Sequence, residues 1–239
     1  MMSTTGISLS KVVESLMMRQ WYSVKNQLSR VSAKEKKYTR FHSQFGEDRY
    51  IFEHLNLPER GVFVDVGAGH PVHLSNTYFF ERNGWTGVCI DADPKQYELL
   101  KKERANVEWA AVSSNEGEID FSLAYFPTYS STFSKDEYRG IIKVPFKRTI
   151  SVPAFKLETI LEKHDISTID LLSIDVEGTE LEVWQSFDSE KHKPKVLIIE
   201  YYTFGLSDNS KSIKDFFSNS PYQLIHTTCT NYIFLHQEA

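Results

Sequence analysis

Cysteine is scarce in this 239-residue chain: Cys89 and Cys229 stand far apart and form neither a CxxC pair nor a metal-spaced set. That excludes a disulfide scaffold and a cysteine-held metal site, and it points to a reducing, cytoplasmic setting. No apolar run approaches the ~18 uninterrupted residues of a spanning helix. Lys11, Glu14 and Arg19 break up the apolar core that a signal peptide would need. Internal repeats and low-complexity segments are missing as well. An excess of positive charge is also lacking, since the formal net charge is −5, so a nucleic-acid polymer is not the expected partner. What remains is ordinary: 41% of residues are apolar and 25% charged, near the globular average. A chain of this length buries roughly 70–75% of its unfolded surface, enough for one α/β domain without staples.

The charge is unevenly placed. Residues 1–42 hold eight basic residues against Glu14 and Glu35, a local charge of +6 that leaves −11 for the remainder. The basic stretch carries Leu9, Val12, Val13, Leu16, Met17, Val24, Leu28 and Val31 at helical spacing. It reads as a helical leader over residues 1–42 that packs on the body or on a second subunit as a homodimer. A sharper alternative is peripheral contact with an anionic membrane at its inner face.

Residues 43–239 read as one domain. Val62–Val66, Gly87–Asp91, Val107–Val112, Ile169–Ile174 and Val196–Ile199 are short apolar runs with strand character, and Tyr222–His226 with Tyr232–His236 form a terminal strand pair. Helical patterns over Asn76–Arg82, Pro94–Glu103 and Thr179–Ser186 separate several of them. The alternation implies a mostly parallel sheet covered on both faces. Residues 117–155 break the rhythm with an extra strand at Glu118–Leu123, the aromatics Tyr125, Phe126, Tyr129, Phe133 and Tyr138, and the basic residues Lys143, Lys147 and Arg148. That aromatic content suits a substrate-facing excursion better than a plain linker.

In an open α/β sheet, ligands bind outside the carboxyl ends of the strands. Asp65, Asp91, Asp175 and Glu200 all fall at or near such ends. One or two could be turn or capping acids, but four crowded together favour a cationic or polyhydroxylated ligand, because unpartnered buried carboxylates are costly. The turn Asp65-Val66-Gly67-Ala68-Gly69 follows a strand directly, and its glycines let backbone approach a ligand. Val72 stands where a dinucleotide fingerprint needs glycine, and an acid there suits a sulfonium or ammonium group better than a pyrophosphate. With Asp91 placed to grip a ribose diol, the arrangement is the one expected for S-adenosylmethionine.

These residues carry a resemblance. The segments Ser43–Asp48, Phe63–Pro71, Ser75–Tyr78, Gly84–Gly87, Ile90–Pro94, Ala110–Val112, Leu157–Leu161 and Ile174–Glu180 together resemble class I S-adenosylmethionine-dependent methyltransferases of the FkbM family. Pro71 departs from the third glycine that many methyltransferases carry. The resemblance implies a Rossmann-like, doubly wound α/β fold: a seven-stranded sheet with helices on both faces and a terminal antiparallel strand. It also implies roles. Asp65, Gly67, Ala68 and Gly69 would form the methionine side of the cofactor pocket, with Asn76 and Thr77 near the carboxylate and Asp175 beside them. Asp91 would hold the ribose, with Ala92 beside it among the cofactor-binding residues, Ala111 and Val112 would lie near the adenine slot, and Gln44 and Glu47 would close over the cofactor. For Gln44–Asp48, a plain helix-start segment is the competing reading.

The implied reaction is O-methylation of a sugar hydroxyl in a glycan, glycolipid or nucleotide-sugar precursor, with a base among Asp175, Glu177, His70 and Glu200. Asp175, Glu177 and Glu200 could instead share a Mg²⁺. A base-methylating enzyme would carry an [N/D]-P-P-[Y/F/W] turn where this chain has Asp175-Val176-Glu177-Gly178. A catalytically silent S-adenosylmethionine-binding module and a methyltransferase acting on a non-sugar natural product stay open.

Overall fold

Short β-branched runs and amphipathic helices alternate in space as they do in sequence. The computed structural model describes residues 40–124, 146–203 and 207–238. The expected leader helix, the aromatics of 125–138 and Lys143 lie outside them, as does the side chain of Lys147. In chain order the described elements are α1 (Glu47–His54), β1 (Val62–Val66), α2 (Tyr78–Arg82), β2 (Thr86–Asp91), α3 (Pro94–Glu103), β3 (Val107–Trp109), β4 (Ala111–Val112), β5 (Gly117–Ala124) and β6 (Phe146–Phe155). There follow α4 (Leu157–Lys163), β7 (Leu171–Ile174), α5 (Glu180–Gln185), α6 (Ser189–His192), β8 (Val196–Glu200), β9 (Tyr202–Thr203), β10 (Ser207–Asp208), α7 (Ser210–Phe217), β11 (Tyr222–Thr227) and β12 (Asn231–His236).

The main sheet has seven strands in the order β11-β12-β8-β7-β1-β2-β3. Pairs from β8 to β3 are parallel, and β12 runs antiparallel to both β8 and β11. The fold is thus a Rossmann-like α/β sheet with a terminal antiparallel strand. From β1 the chain winds outward through β2 to β3, then returns to β7 on the other side of β1. The strand order therefore reverses between β1 and β7, and the ends of these two strands make the crevice where such sheets bind ligands.

Strand alternation divides the core. Phe63, Leu171, Val196, Ile198 and Ile233 point to one face, where Ile51 of α1, Phe79 of α2 and Leu100 of α3 cover them. Val64, Val66, Ile174, Leu197 and Ile199 point to the other, under Ile160 of α4, Val183 of α5 and Ile213 of α7. Each such side chain contributes about 1.5–3 kcal/mol when fully buried, so the two layers hold the sheet edge rigid where it carries the acids.

Three expectations change. The single strand over Val107–Val112 is two, because the chain turns at Ala110, whose N–H donates to the Asp91 carbonyl at 3.2 Å. β3 stays in the main sheet, while β4 joins a second sheet in the order β4-β6-β5. The helix expected from Asn76 starts at Tyr78, leaving Asn76 and Thr77 in the preceding loop. The excursion over 117–155 contains a long second strand, β6, paired antiparallel with β5. Arg148 is exposed on it opposite Leu123, a solvated strand position.

Candidate active site

Strand parity builds the site. Asp65 and Cys89 are register partners, as are Ser173 and Asp65, Ile198 and Ser173, and Asn231 and Glu200. Two residues further along each strand come Gly67, Asp91, Asp175 and Glu200, so these belong to the same face as Asp65. Extending the registers, Asp91, Gly67, Asp175, Glu200 and Asn231 form one row across five adjacent strands, with Asp65 one step below. The four strand-end acids of the sequence are thus neighbours on one face, the face covered by α1 and α2.

Gly67 sits at φ 77°, and the N–H groups of Gly67 and Ala68 both donate to the Ile90 carbonyl, at 2.9 and 3.1 Å. The turn then sends Gly69 N–H to Asp91 Oδ2 at 2.8 Å, while Asp91 Oδ1 accepts from Asp93 N–H at 2.8 Å. Asp93 in turn caps α3 by accepting from Lys95 N–H, ahead of Pro94 in the first turn. Burial pushes the Asp91 carboxyl up to about 7, against the pull of these two N–H donors.

Asp65 is buried, and its Oδ2 accepts from Thr77 Oγ1 at 2.5 Å. Burial raises its carboxyl, and the Arg104 charge with the Thr77 and Ser173 hydroxyls pulls it back. Asn76 donates from Nδ2 to Ser173 Oγ at 3.1 Å, and its buried Oδ1 has no hydrogen-bond partner. Thr77 is wholly buried, its hydroxyl committed to Asp65 and Arg104.

Asp175 follows β7, its N–H held by the Val66 carbonyl at 2.9 Å. Burial first, then the nearby charges of Glu180, Asp65 and Glu47, push its carboxyl up to about 7, while a hydrogen bond with Glu200 opposes them. Glu177 takes a left-handed conformation, φ 61°, unusual for a non-glycine residue and typical of functional turns. Asp175, Glu177 and Glu200 each offer a carboxylate oxygen, all within 4.8 Å of one another. That fits an oxygen-preferring cation.

The remaining expected residues divide. Ala92 and Ala111 pack with Phe121, Leu123 and Val152 in a small apolar cluster beside Asp91, next to buried Val112. Glu47 is fully buried in the first turn of α1, accepting from Thr228 Oγ1 at 2.8 Å, Asn231 Nδ2 at 2.9 Å and Phe45 N–H at 2.9 Å. Asp48 accepts from His42 and Ser43 N–H, which ties the segment before α1 to the helix's first turn, while Gly46 at the N-cap makes no side-chain cap bond. A bridge from Ser43 to Leu74 sets half-buried Gln44 beside the 70–77 loop. His70 is exposed; burial of part of its ring and nearby His73 lower its imidazole, and Nδ1 accepts from Val72 and His73 N–H at 3.1 and 3.0 Å. That nitrogen fastens the loop, and only the other remains for proton transfer.

Sequence reasoning missed Arg104 and Asn231. The Arg104 side chain is wholly buried and ion-paired to Glu81, and Asn231 closes the row at Glu200. Neither sits in a motif, and the acids they hold, Glu81 and Glu47, are distant in sequence.

Among solved structures, the chain is similar to precorrin-6y C5,15-methyltransferase from Geobacter metallireducens GS-15, at 14% identity and a TM-score of 0.43, covering 85% of this chain and 96% of that one. No curated protein matches it. The model of the methyltransferase FkbM domain matches residues 65–224, from the first strand-end acid to the terminal strand pair. That span holds Asp65, Asp91, Asp175 and Glu200, all four strand-end acids, and the chain is a member of the FkbM methyltransferase family.

Proposed function

We propose that the protein is an S-adenosylmethionine-dependent O-methyltransferase acting on a sugar hydroxyl. The observation that carries this reading is the row itself. Asp91 and the Gly67 turn lie on one side of Asp175, and Glu200 and Asn231 on the other, so one carboxylate stands between a cofactor half and an acceptor half. The residues fit the cofactor: Asp91 keeps carboxylate lone pairs for ribose hydroxyls, and the buried Asn76 Oδ1 needs a donor. When bound, S-adenosylmethionine supplies a methyl group on a sulfonium. Transfer breaks the carbon–sulfur bond and forms a carbon–oxygen bond, and the acceptor proton passes to a base. Asp175 is that base, with Glu177 beside it, and most of the acceleration comes from alignment. Incubation with S-adenosylmethionine and a panel of short glycans, glycolipids and nucleotide sugars, read by mass, tests this. Binding without methyl gain on any acceptor would point to a silent cofactor-binding module.

Asp91 makes the cofactor step pH-dependent. Ribose hydroxyls need its ionised form, whereas the free protein holds a proton there below about pH 7. Affinity for S-adenosylmethionine is therefore full above pH 7 and falls by up to about tenfold per unit on acidification. Calorimetry from pH 8.5 to 5.5 should show that slope, and Asp91→Asn should bind weakly at every pH.

A second reading rests on the 4.8 Å grouping of Asp175, Glu177 and Glu200 oxygens. These would hold Mg²⁺, which would gather two vicinal hydroxyls and lower the pKa of one. Chelation should then abolish turnover and Mg²⁺ restore it, with S-adenosylmethionine affinity unchanged; activity indifferent to chelators would sink the metal.

A further inference from the structure

Arg104 ends α3, more than twenty residues from anything it holds. Its Nη1 donates to the Pro71 carbonyl at 3.2 Å and to Ser75 Oγ at 3.3 Å, and Nη2 donates to Thr77 Oγ1 at 2.7 Å. Nε donates to Glu81 of α2. The guanidinium also lies over the rings of Phe63 and Tyr78, 5.3 and 5.6 Å from their centroids. One buried fork thus ties both ends of the 71–77 loop to α2, and Thr77 relays it to Asp65 at 2.5 Å. The loop needs such a restraint: Leu74 at its tip is exposed and takes φ 63°, a strained conformation for a leucine.

We infer that Arg104 is the positioning residue of the cofactor site: it fixes the 71–77 loop and Asp65 for the methionine end of S-adenosylmethionine without touching the ligand. This rests on the cofactor reading above. Its side chain is wholly buried, so it acts only through Thr77, Asp65 and the loop. Only a planar guanidinium makes all four of these contacts at once, and a lysine could not. Among the described residues, the charged and titratable groups around Asp65 are Arg104 from the end of α3, Glu81 from α2, Cys89 and Asp91 from β2, and Asp175 after β7. Among these, Arg104 alone is cationic, so its loss lets the Asp65 carboxyl climb.

The test compares adenosine with S-adenosylmethionine, since adenosine shares the ribose and base but lacks the methionine end. Three variants of the full chain are titrated by calorimetry from pH 8.5 to 6 beside thermal melts: Arg104→Lys, Arg104→Met, and Arg104→Met with Glu81→Gln, which removes the acid that would otherwise lose its cation. We expect the double variant to fold and to lose at least about thirtyfold in S-adenosylmethionine affinity but under threefold in adenosine affinity. Arg104→Lys should not restore it. The affinity ratio of the two ligands should also fall more steeply on acidification in the variants than in the wild type, because the Asp91 slope is common to both and only the variants lose the cation that holds the Asp65 carboxyl down. Parallel weakening of the two ligands, full rescue by lysine, or loss of folding in all three variants would assign Arg104 to the scaffold alone and overturn the inference. Failure of the wild type to bind S-adenosylmethionine would instead overturn the cofactor reading beneath it.

Discussion

Gly67→Ala is expected to abolish S-adenosylmethionine binding and to lower the melting temperature by roughly 10 °C or more. A Cβ at this position would stand 1.7 Å from the Asp175 carbonyl oxygen and 2.7 Å from its carbon. Both are backbone atoms, so no rotamer change relieves the overlap. Relief would require the ends of β1 and β7 to part, breaking the 2.9 Å bond from Asp175 N–H to the Val66 carbonyl and moving the proposed base. The positive φ of 77° adds strain of about 1–2 kcal/mol for any L side chain. Gly69→Ala is the control. Its φ of 58° carries similar strain, but the nearest atom to its Cβ is the Gly67 oxygen at 3.9 Å. It should cost only a few degrees and leave binding measurable. Thermal melts and cofactor titration of both variants check this; a Gly67→Ala protein that melts within about 2 °C of wild type would refute the close approach of the two strands.

That closeness was half visible in sequence. The acids at Asp65, Asp91, Asp175 and Glu200 could be read as strand ends because each closes a β-rich apolar run, and a parallel sheet collects such ends on one edge. Sequence periodicity does not say which face they share when both faces of a strand are apolar, as in Leu171–Ile174. Register does, and register depends on pairings such as Val66 with Ile174 and Glu200 with Asn231. Arg104 was illegible for a related reason. It follows Lys101 and Lys102, and nothing local distinguishes the cation that turns inward from the two that face solvent. Its partners Pro71, Ser75 and Thr77 come together only once α3 packs back on the sheet. Pro153 disguised β6, since proline argues against strand interiors. The break at Ala110 was hidden because an apolar strand run carries no mark of the Asp91 carbonyl that takes its N–H.

Asp175→Asn should separate chemistry from stability in opposite directions. In the row, Asp175 lies between Gly67 and Glu200, and the charges of Glu180, Asp65 and Glu47 act on it. Asparagine keeps the shape and the Asp175 N–H bond to β1 but removes one of these crowded negative charges. The unliganded protein at pH 8 should therefore melt a few degrees higher, since like charges held together in a buried site destabilise the fold that holds them. Turnover should fall by about 10²–10⁴ because the amide cannot accept the acceptor proton. S-Adenosylmethionine affinity should stay within about threefold, as Asp91 and the Gly67 turn are untouched and the 71–77 loop remains tied to Arg104. Glu200→Gln removes a neighbouring charge from the same row but leaves the proposed base in place, so it should share the stability gain with a smaller loss of turnover. Melting curves, cofactor calorimetry and single-turnover methyl transfer on the two variants distinguish these effects. If Asp175→Asn turned over at the wild-type rate, the base would have to be sought at Glu177, whose carboxylate belongs to the same oxygen cluster.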